Sequence, residues 1–566
     1  MSTFKTVLQP AAVRCPKALA HSRPGECEFI LNIGIFFDGT DNNQRQKREI
    51  DNPGLNTNVV RLSDAYRDIP AEGYFRYYVS GVGTPFYELG KTQAEAFGAP
   101  FGAGGEARIL YGLLQIINSV HRFINNQKPR FEDPALAALC STTRVPSTPE
   151  QKQQSSMTDE QKILDALGLR SGLVDAGDRH FFIWKNDGER GKFFAKISDE
   201  LAEQVRAKKM PKVVAIYIDV FGFSRGAAQA RVFTSWLHQF MLKDGQLFGV
   251  PSYVRMLGLF DTVASVGPTN ALGSAGHNAW ATAADLQIHS AVKNCVHYVA
   301  LHELRTNFPL DSAAVGEDLL PEVHEHYCPG AHSDVGGGYA AGEQGKGIDW
   351  ISKRAEAQHQ LSMLPLNEMY RAALQSGLGH ENRPWIEMDS RDAEALKLPE
   401  RFGRDQLESI RNDVAAYFQT AGVPADPSPG PESALRQHGL RYLAWRLNVM
   451  RGRGFEMLPS VSDAQRLDHD GYDFYRQGEK IFEKQIGWLE HKPIQTDPVH
   501  QTGAYAGNNS FHSHAGQIYG QMKEMSEQIT PDQGKFFDGW VHDSYAGFIA
   551  KFHEKEENWV SSVFGD

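Results

Sequence analysis

Residues 211–237, PKVVAIYIDVFGFSRGAAQARVFTSWL, decide the fold. Residues 212–219 are rich in Val, Ile and Tyr and hold neither glycine nor proline. Such a run suits a central strand covered on both faces. Gly222-Phe223-Ser224-Arg225-Gly226 follows, then small residues and a helix-forming run. A G-x-S-x-G segment between strand and helix is the nucleophile-elbow pattern. The serine sits on a strained turn, so the residues two before and two after it must be small for strand and helix to pass closely. Its hydroxyl then projects from the C-terminal edge of the sheet. The Arg225 N–H and the first helical turn point to the same place, where an oxyanion would be stabilised. The bare pattern arises often by chance, and its position between strand and helix is what gives it weight. The competing reading is a tight turn whose serine caps the helix.

Toward the N-terminus, residues 27–37 (CEFILNIGIFF) read as a strand running into Asp38-Gly39-Thr40-Asp41-Asn42-Asn43. Open α/β sheets place ligand contacts in such loops. Gly39 or Thr40 is placed to supply a second oxyanion-hole N–H; an Asx turn is the plainer alternative. Residues 58–66 have a helical pattern and residues 74–79 read as a further strand. The stretch 97–105, FGAPFGAGG, lacks the Lys-Ser or Lys-Thr of a phosphate-binding loop and suits a flexible loop or lid hinge. Ile109, Leu113, Ile116, Ile117 and Val120 recur at helical spacing within 106–126. Residues 141–160 are Ser/Thr/Gln-rich and read as an exposed insertion, and 198–209 as a helix.

Toward the C-terminus, the 253–260 strand ends at Asp261. Strands at 296–301 and 323–327 lead to residues 329–339, PGAHSDVGGGY, which hold His332 beside three glycines. Ser224, Asp261 and His332 stand in the Ser…Asp…His order of α/β hydrolases, each at a strand end. Asp334 competes with Asp261 as the acid, and His542, in WVHDSYAGF, is the runner-up histidine. His324 and His326 alternate along one strand face without a third ligand at matching spacing, so no metal is expected. Beyond residue 348 the sheet pattern fades. Residues 352–377, 435–450, 472–490 and 517–528 read as amphipathic helices, and 423–432 as a proline-rich linker.

The chain has 566 residues, a formal net charge of −11 and five widely spaced cysteines without a C-x-x-C. The acidic balance argues against nucleic acid as the main partner. The cysteine pattern fits a reducing cytoplasm, with neither a disulfide framework nor a zinc site. Residues 1–28 lack a signal-peptide pattern, and no apolar run reaches the ~18–20 residues that span a bilayer. The expected architecture is an α/β-hydrolase-like, mostly parallel central sheet with helices on both faces. Its expected parts are a leader (1–28), a catalytic domain (29–345, with a polar insertion at 141–187) and a mainly helical C-terminal region (346–566). The last is a candidate lid, or a membrane- or partner-binding subdomain.

Several stretches together carry a family resemblance: IFFDGTDNN (35–43), TNVVRL (57–62), GVGT (81–84), GFSRGAAQAR (222–231), GLFDTVASVG (258–267) and PGAHSDVGGGY (329–339). The chain resembles the type VI secretion lipase effectors of the first family and the α/β-hydrolase-like domain they contain. The resemblance implies that Ser224 is the nucleophile, Asp261 the acid and His332 the base, with Arg225 and Gly39 at the oxyanion hole. It implies a phospholipase A acting on membrane glycerophospholipid, with peripheral membrane contact only and no cofactor. It also implies synthesis in the bacterial cytoplasm and delivery into a rival cell's periplasm. The implied partners are a spike protein as carrier and a periplasmic immunity lipoprotein as inhibitor. One departure stands out: His302, in VALHE, occupies a position where an acid is expected. The alternatives are a soluble carboxylesterase and a non-catalytic interaction protein on a hydrolase fold.

Overall fold

The computed structural model describes residues 5–6, 28–44, 56–93, 104–148, 157–177, 183–184, 187–208, 211–265, 280–305, 308–314, 319–349, 351–378, 384–422, 431–452, 454–467, 469–491 and 506–546. The long path of its main sheet comprises β1 (Lys5–Thr6), β2 (Glu28–Phe37), β3 (Tyr74–Val79), β4 (Lys212–Phe223), β5 (Val250–Phe260), β6 (Cys295–Ala300) and β7 (Val323–Cys328). They lie side by side in the order β1-β7-β6-β5-β4-β2-β3, every pair parallel. A short strand, Gln246–Leu247, adds an antiparallel pair to β5. The expected α/β class is therefore the observed one.

Strand order grows one way from β4 through β5, β6 and β7, and the other way through β2 and β3. The switch point falls between β4 and β2, and ligands of open α/β sheets bind beyond the C-terminal ends of the strands there. The Ser224 elbow and the loop beginning at Asp38 leave the sheet at that place. β4 is buried along nearly all its length because it has a hydrogen-bonded strand on each side and helices on each face.

Alternation along the strands separates two apolar layers. Ile33, Ile35, Ile218, Val220, Leu257 and Leu259 face one side. Against them pack Leu113, Ile116 and Ile117 of the Gly105–Ile124 helix and Phe233 of the Arg225–Phe240 helix. Phe36, Phe221, Phe223, Met256 and Phe260 face the other side. They share one core with Leu62 of the Asn58–Ala65 helix and with Met363, Met369, Trp385, Tyr417, Leu443 and Phe537. The helices beyond residue 346 thus cover a sheet face.

Some expectations shift in detail. Lys5–Thr6 of the stretch read as a leader pairs with β7 and forms the sheet's edge there, and most of that stretch lies outside the described residues. The stretch read as a polar insertion contains helix Asp159–Ala166, whose start is fixed by a Thr158–Gln161 capping box. Of the 97–105 lid candidate, residues 97–103 lie outside the described residues, as does 423–430 of the proline-rich segment. Among the described residues no helix is long and apolar enough to cross a membrane.

Candidate active site

Ser224 sits between β4 and the Arg225–Phe240 helix with φ +58° and ψ −128°. A left-handed backbone costs free energy for any residue with a Cβ and persists only where its surroundings enforce it. The enforcement is visible. A Cβ on Gly222 would lie 2.4 Å from the Gly226 carbonyl oxygen. One on Gly226 would lie 2.3 and 2.4 Å from the carbonyl oxygens of Phe37 and Asp38. The atoms met are backbone, so neither contact is relieved by a rotamer change. Gly226→Ala is expected to cost about 3 kcal/mol or more of stability. Urea unfolding measures it, and a midpoint equal to the parent's would refute the steric reading.

The same elbow is bolted to the turn that carries Asp261. The Ser224 N–H donates to the Phe260 carbonyl (3.0 Å), and the Ser224 carbonyl accepts from the Val263 N–H (3.2 Å). Asp261 itself has φ +41°. Its N–H donates to the Tyr298 carbonyl at 2.7 Å, and its Oδ1 accepts from the Ala300 N–H at 2.9 Å. Its Oδ2 accepts from His332 Nδ1 at 2.6 Å. Next in sequence, the Thr262 N–H donates to His297 Nε2 (3.1 Å), so His297 carries its proton on Nδ1 and gives it to Glu325 Oε2 (2.9 Å). A buried imidazole–carboxylate pair thus holds the acid's turn from behind, a role the sequence did not announce.

His332 opens a short helix, His332–Gly336, and is 3% exposed. Its ring packs against Phe223 (centroids 4.6 Å apart) and Phe308 (5.0 Å). Gly336 is required there, because a Cβ would come within 2.0 Å of the Phe223 ring. With Nδ1–H given to Asp261, Nε2 presents a lone pair. His332 Nε2 and Ser224 Oγ are both buried polar atoms without a hydrogen-bond partner. The structure therefore joins His332 to Asp261 and leaves Ser224 and His332 not bonded to each other. Such contacts are often long in a free enzyme and tighten with substrate.

The oxyanion donors divide. Arg225 begins the helix as expected, with its backbone N–H in the first turn. Gly39 corrects the expectation: its N–H already donates to Asp38 Oδ1 at 2.8 Å. Asp38 also accepts from Thr57 Oγ1 (2.7 Å) and Tyr78 Oη (2.6 Å), so this carboxylate gathers its own loop and engages the donor. In the next residue, Thr40 Oγ1 is buried without a partner.

The runner-up residues find each other instead of the triad positions. Asp334 Oδ1 accepts from His542 Nδ1 at 2.6 Å, and Tyr339 stacks on the His542 ring at 3.9 Å. His302, the departure from the family pattern, accepts the Gly330 N–H at Nδ1 (2.8 Å) and meets the Tyr417 hydroxyl at Nε2 (2.9 Å). Burial, with His438 and Arg441 nearby, holds its pKa well below the usual range, so it stays a neutral brace of the His332 loop.

Glu303 was missed as a site residue. Its Oε2 accepts the His332 backbone N–H (3.2 Å), and it pairs with Arg305 at 2.8 Å. Burial alone would raise its carboxyl, but Arg305, with its hydrogen bonds, and His332 bring it down to about 2. A lowered folded pKa adds stability that is complete above the ordinary value of 4.5 and fades as pH falls toward about 2. Glu303→Gln is expected to cost about 3 kcal/mol at pH 7, a penalty that shrinks below pH 4.5. Urea unfolding at pH 7 and near pH 3.5 checks this, and a pH-independent penalty would contradict it.

Residues 243–372, which include Asp261 and His332, match the family model described as T6SS, phospholipase effector Tle1-like, catalytic domain. No curated protein matches the chain. Among solved structures, the chain is similar to the crystal structure of an uncharacterized protein from Pseudomonas aeruginosa. The two are 22% identical, with a TM-score of 0.64, over 92% of this chain and 78% of that one. That likeness is one of fold. A structure of the Tle1 effector bound to the VgrG spike from the type VI secretion system is 20% identical over 56% of this chain and 52% of that one. Its TM-score, 0.26, is too low to carry weight. Residues 243–372 are thus similar to the catalytic domain of type VI secretion, Tle1-like phospholipase effectors, the family that the chain's motifs resemble.

Proposed function

We propose that this chain is a serine phospholipase A that cleaves acyl ester bonds of membrane glycerophospholipids as an antibacterial type VI secretion effector. The observation that carries the reading is the set formed by the strained Ser224, its unpartnered Oγ, and a His332 ring fixed by Asp261 with Nε2 unpartnered. A buried hydroxyl and a buried imidazole nitrogen left without partners are costly in a finished core and sensible where a substrate completes the site. The catalytic-domain match supports lipid hydrolysis as the reaction class.

In the proposed mechanism, His332 Nε2 takes the Ser224 proton as Oγ attacks the ester carbonyl. Asp261 holds the tautomer and stabilises the imidazolium. The Arg225 N–H and the Thr40 residue stabilise the oxyanion, one such donor being worth about 3–4 kcal/mol of barrier. His332 then protonates the departing lysophospholipid alcohol. Water, deprotonated by the same nitrogen, splits the acyl-enzyme into fatty acid and free Ser224.

The family resemblance extends the proposal to delivery by a spike protein into a target cell's periplasm, and to an immunity lipoprotein there that blocks the enzyme. The test is fatty-acid release from phospholipid vesicles with the acyl chains labelled separately at sn-1 and sn-2. Release of one labelled acid is expected. Turnover of monomeric short-chain esters with no release from vesicles would instead favour a soluble carboxylesterase.

A further inference from the structure

The residue after the proposed nucleophile has a second part to play. Arg225 is 8% exposed, yet among the described residues its guanidinium makes no hydrogen bond, ion pair or ring contact. Several other buried arginines of this fold are matched to carboxylates, while Arg61 is held by Asn58 and Met363 and Arg108 by backbone carbonyls. Arg190 meets Glu106 at 2.5 Å, Arg231 meets Asp311 at 2.7 Å, Arg255 meets Asp219 at 2.5 Å, and Arg446 meets Glu479 at 2.7 Å. The Arg225 guanidinium nitrogens are not among the fully buried unpartnered polar atoms, so they reach the open edge of the site, and a cation held there without a protein counter-ion is placed to take an anion from outside.

The surroundings agree. The loop after β2 presses on the elbow, with the Phe37 and Asp38 carbonyls packed over Gly226. Thr40 of that loop holds a buried hydroxyl without a partner. Asp41 is close enough to act on the Arg225 charge, though the two form no ion pair. Burial lowers the guanidinium to about 10, with Asp41 opposing, so it remains cationic at neutral pH. The first turn of the sixteen-residue Arg225–Phe240 helix adds its positive end. Arg225, the Thr40 hydroxyl and the helix end offer donors and positive charge, which the Asp41 carboxylate opposes.

We infer that Arg225 binds the anionic phosphate of the lipid headgroup while an acyl ester of the same molecule lies at Ser224. The inference rests on the phospholipase reading and names its substrate selector. Adjacent Cα atoms are about 3.8 Å apart. In a glycerophospholipid the phosphate on sn-3 neighbours the sn-2 ester and lies one carbon further from the sn-1 ester, so one short molecule spans both residues. A guanidinium reads phosphate by paired, charge-assisted hydrogen bonds, which a lysine does not reproduce. The site would therefore favour phosphoglycerides over neutral diacylglycerol and be indifferent to the alcohol beyond the phosphate.

The test compares kcat/KM for phosphatidylethanolamine and for diacylglycerol with the same acyl chains, in the same detergent micelles. The parent's preference for the phospholipid is expected to fall at least about tenfold in Arg225→Gln and to recover in part in Arg225→Lys. Equal losses on both substrates would make Arg225 a packing residue and overturn the inference. Binding is read apart from turnover with dihexanoylphosphatidylcholine and folded variants matched by thermal unfolding. Ser224→Ala should bind it, and Ser224→Ala/Arg225→Gln at least about tenfold more weakly. Equal affinity of the two overturns the headgroup site even if no variant turns over lipid. Weakened binding without parental turnover would keep the site and sink the hydrolase reading. Inorganic phosphate competing as well as sn-glycerol 3-phosphate against diacylglycerol hydrolysis would mark a free-phosphate site and overturn the headgroup assignment.

Discussion

Ser224→Ala is expected to lower kcat for acyl-ester hydrolysis by about 10⁶-fold while leaving the protein as stable as the parent or slightly more so. The first half follows from the proposed chemistry, since without Oγ there is no acyl-enzyme. The second follows from the structure. Oγ is buried without a hydrogen bond, so its removal takes away an unsatisfied polar group and breaks no contact. Alanine suffers the same φ of +58° as serine, so backbone strain is unchanged. Fatty-acid release and urea unfolding on the same preparations measure both. A variant that loses activity only because it unfolds would contradict the account, as would one that keeps hydrolysing.

Asp261→Asn is expected to cost about 10⁴-fold in kcat with little change in fold stability. An amide at this position can still accept the Ala300 N–H that Oδ1 receives at 2.9 Å. Toward His332 it would turn its NH₂ group, which donates. Nδ1 would then have to accept, the proton would move to Nε2, and the lone pair needed for Ser224 would be gone. Steady-state kinetics with a soluble ester checks the prediction. A loss below tenfold would mean that Asp261 does not set the tautomer. Attention would then pass to Asp334, although its carboxylate is already bonded to His542 at 2.6 Å.

Much of this arrangement is legible in the sequence, because strong local rules write it. β-branched and aromatic runs mark β2, β3, β4 and β5, and each ends within a few residues of its expected place. Gly222 and Gly226 mark the elbow because backbone passes within van der Waals reach of both. The Asp261–His332 pair was expected from residue order and is present at 2.6 Å.

The missed parts are those made by pairing across distance. Nothing local to Glu325 announces that it holds His297, or that His297 holds the Thr262 N–H. Those contacts exist only once β5, β6 and β7 lie side by side. The Asp334–His542 bond joins residues 208 apart in sequence, and amphipathic patterning does not say which helices cover which sheet face. Gly39 shows the opposite failure. Its place in a loop after an early strand suggested a donor to substrate, but the neighbouring Asp38 carboxylate captures its N–H. Loop position is readable from sequence, whereas hydrogen-bond direction depends on the closed loop.

The most direct test of the central claim, that His332 activates Ser224 as a nucleophile, is covalent labelling with a fluorophosphonate followed by peptide mass spectrometry. The account predicts one adduct, on the peptide carrying Ser224, formed at a rate that falls by orders of magnitude in His332→Ala. No adduct at Ser224 from a folded protein that releases fatty acid, or labelling undiminished in His332→Ala, would contradict it.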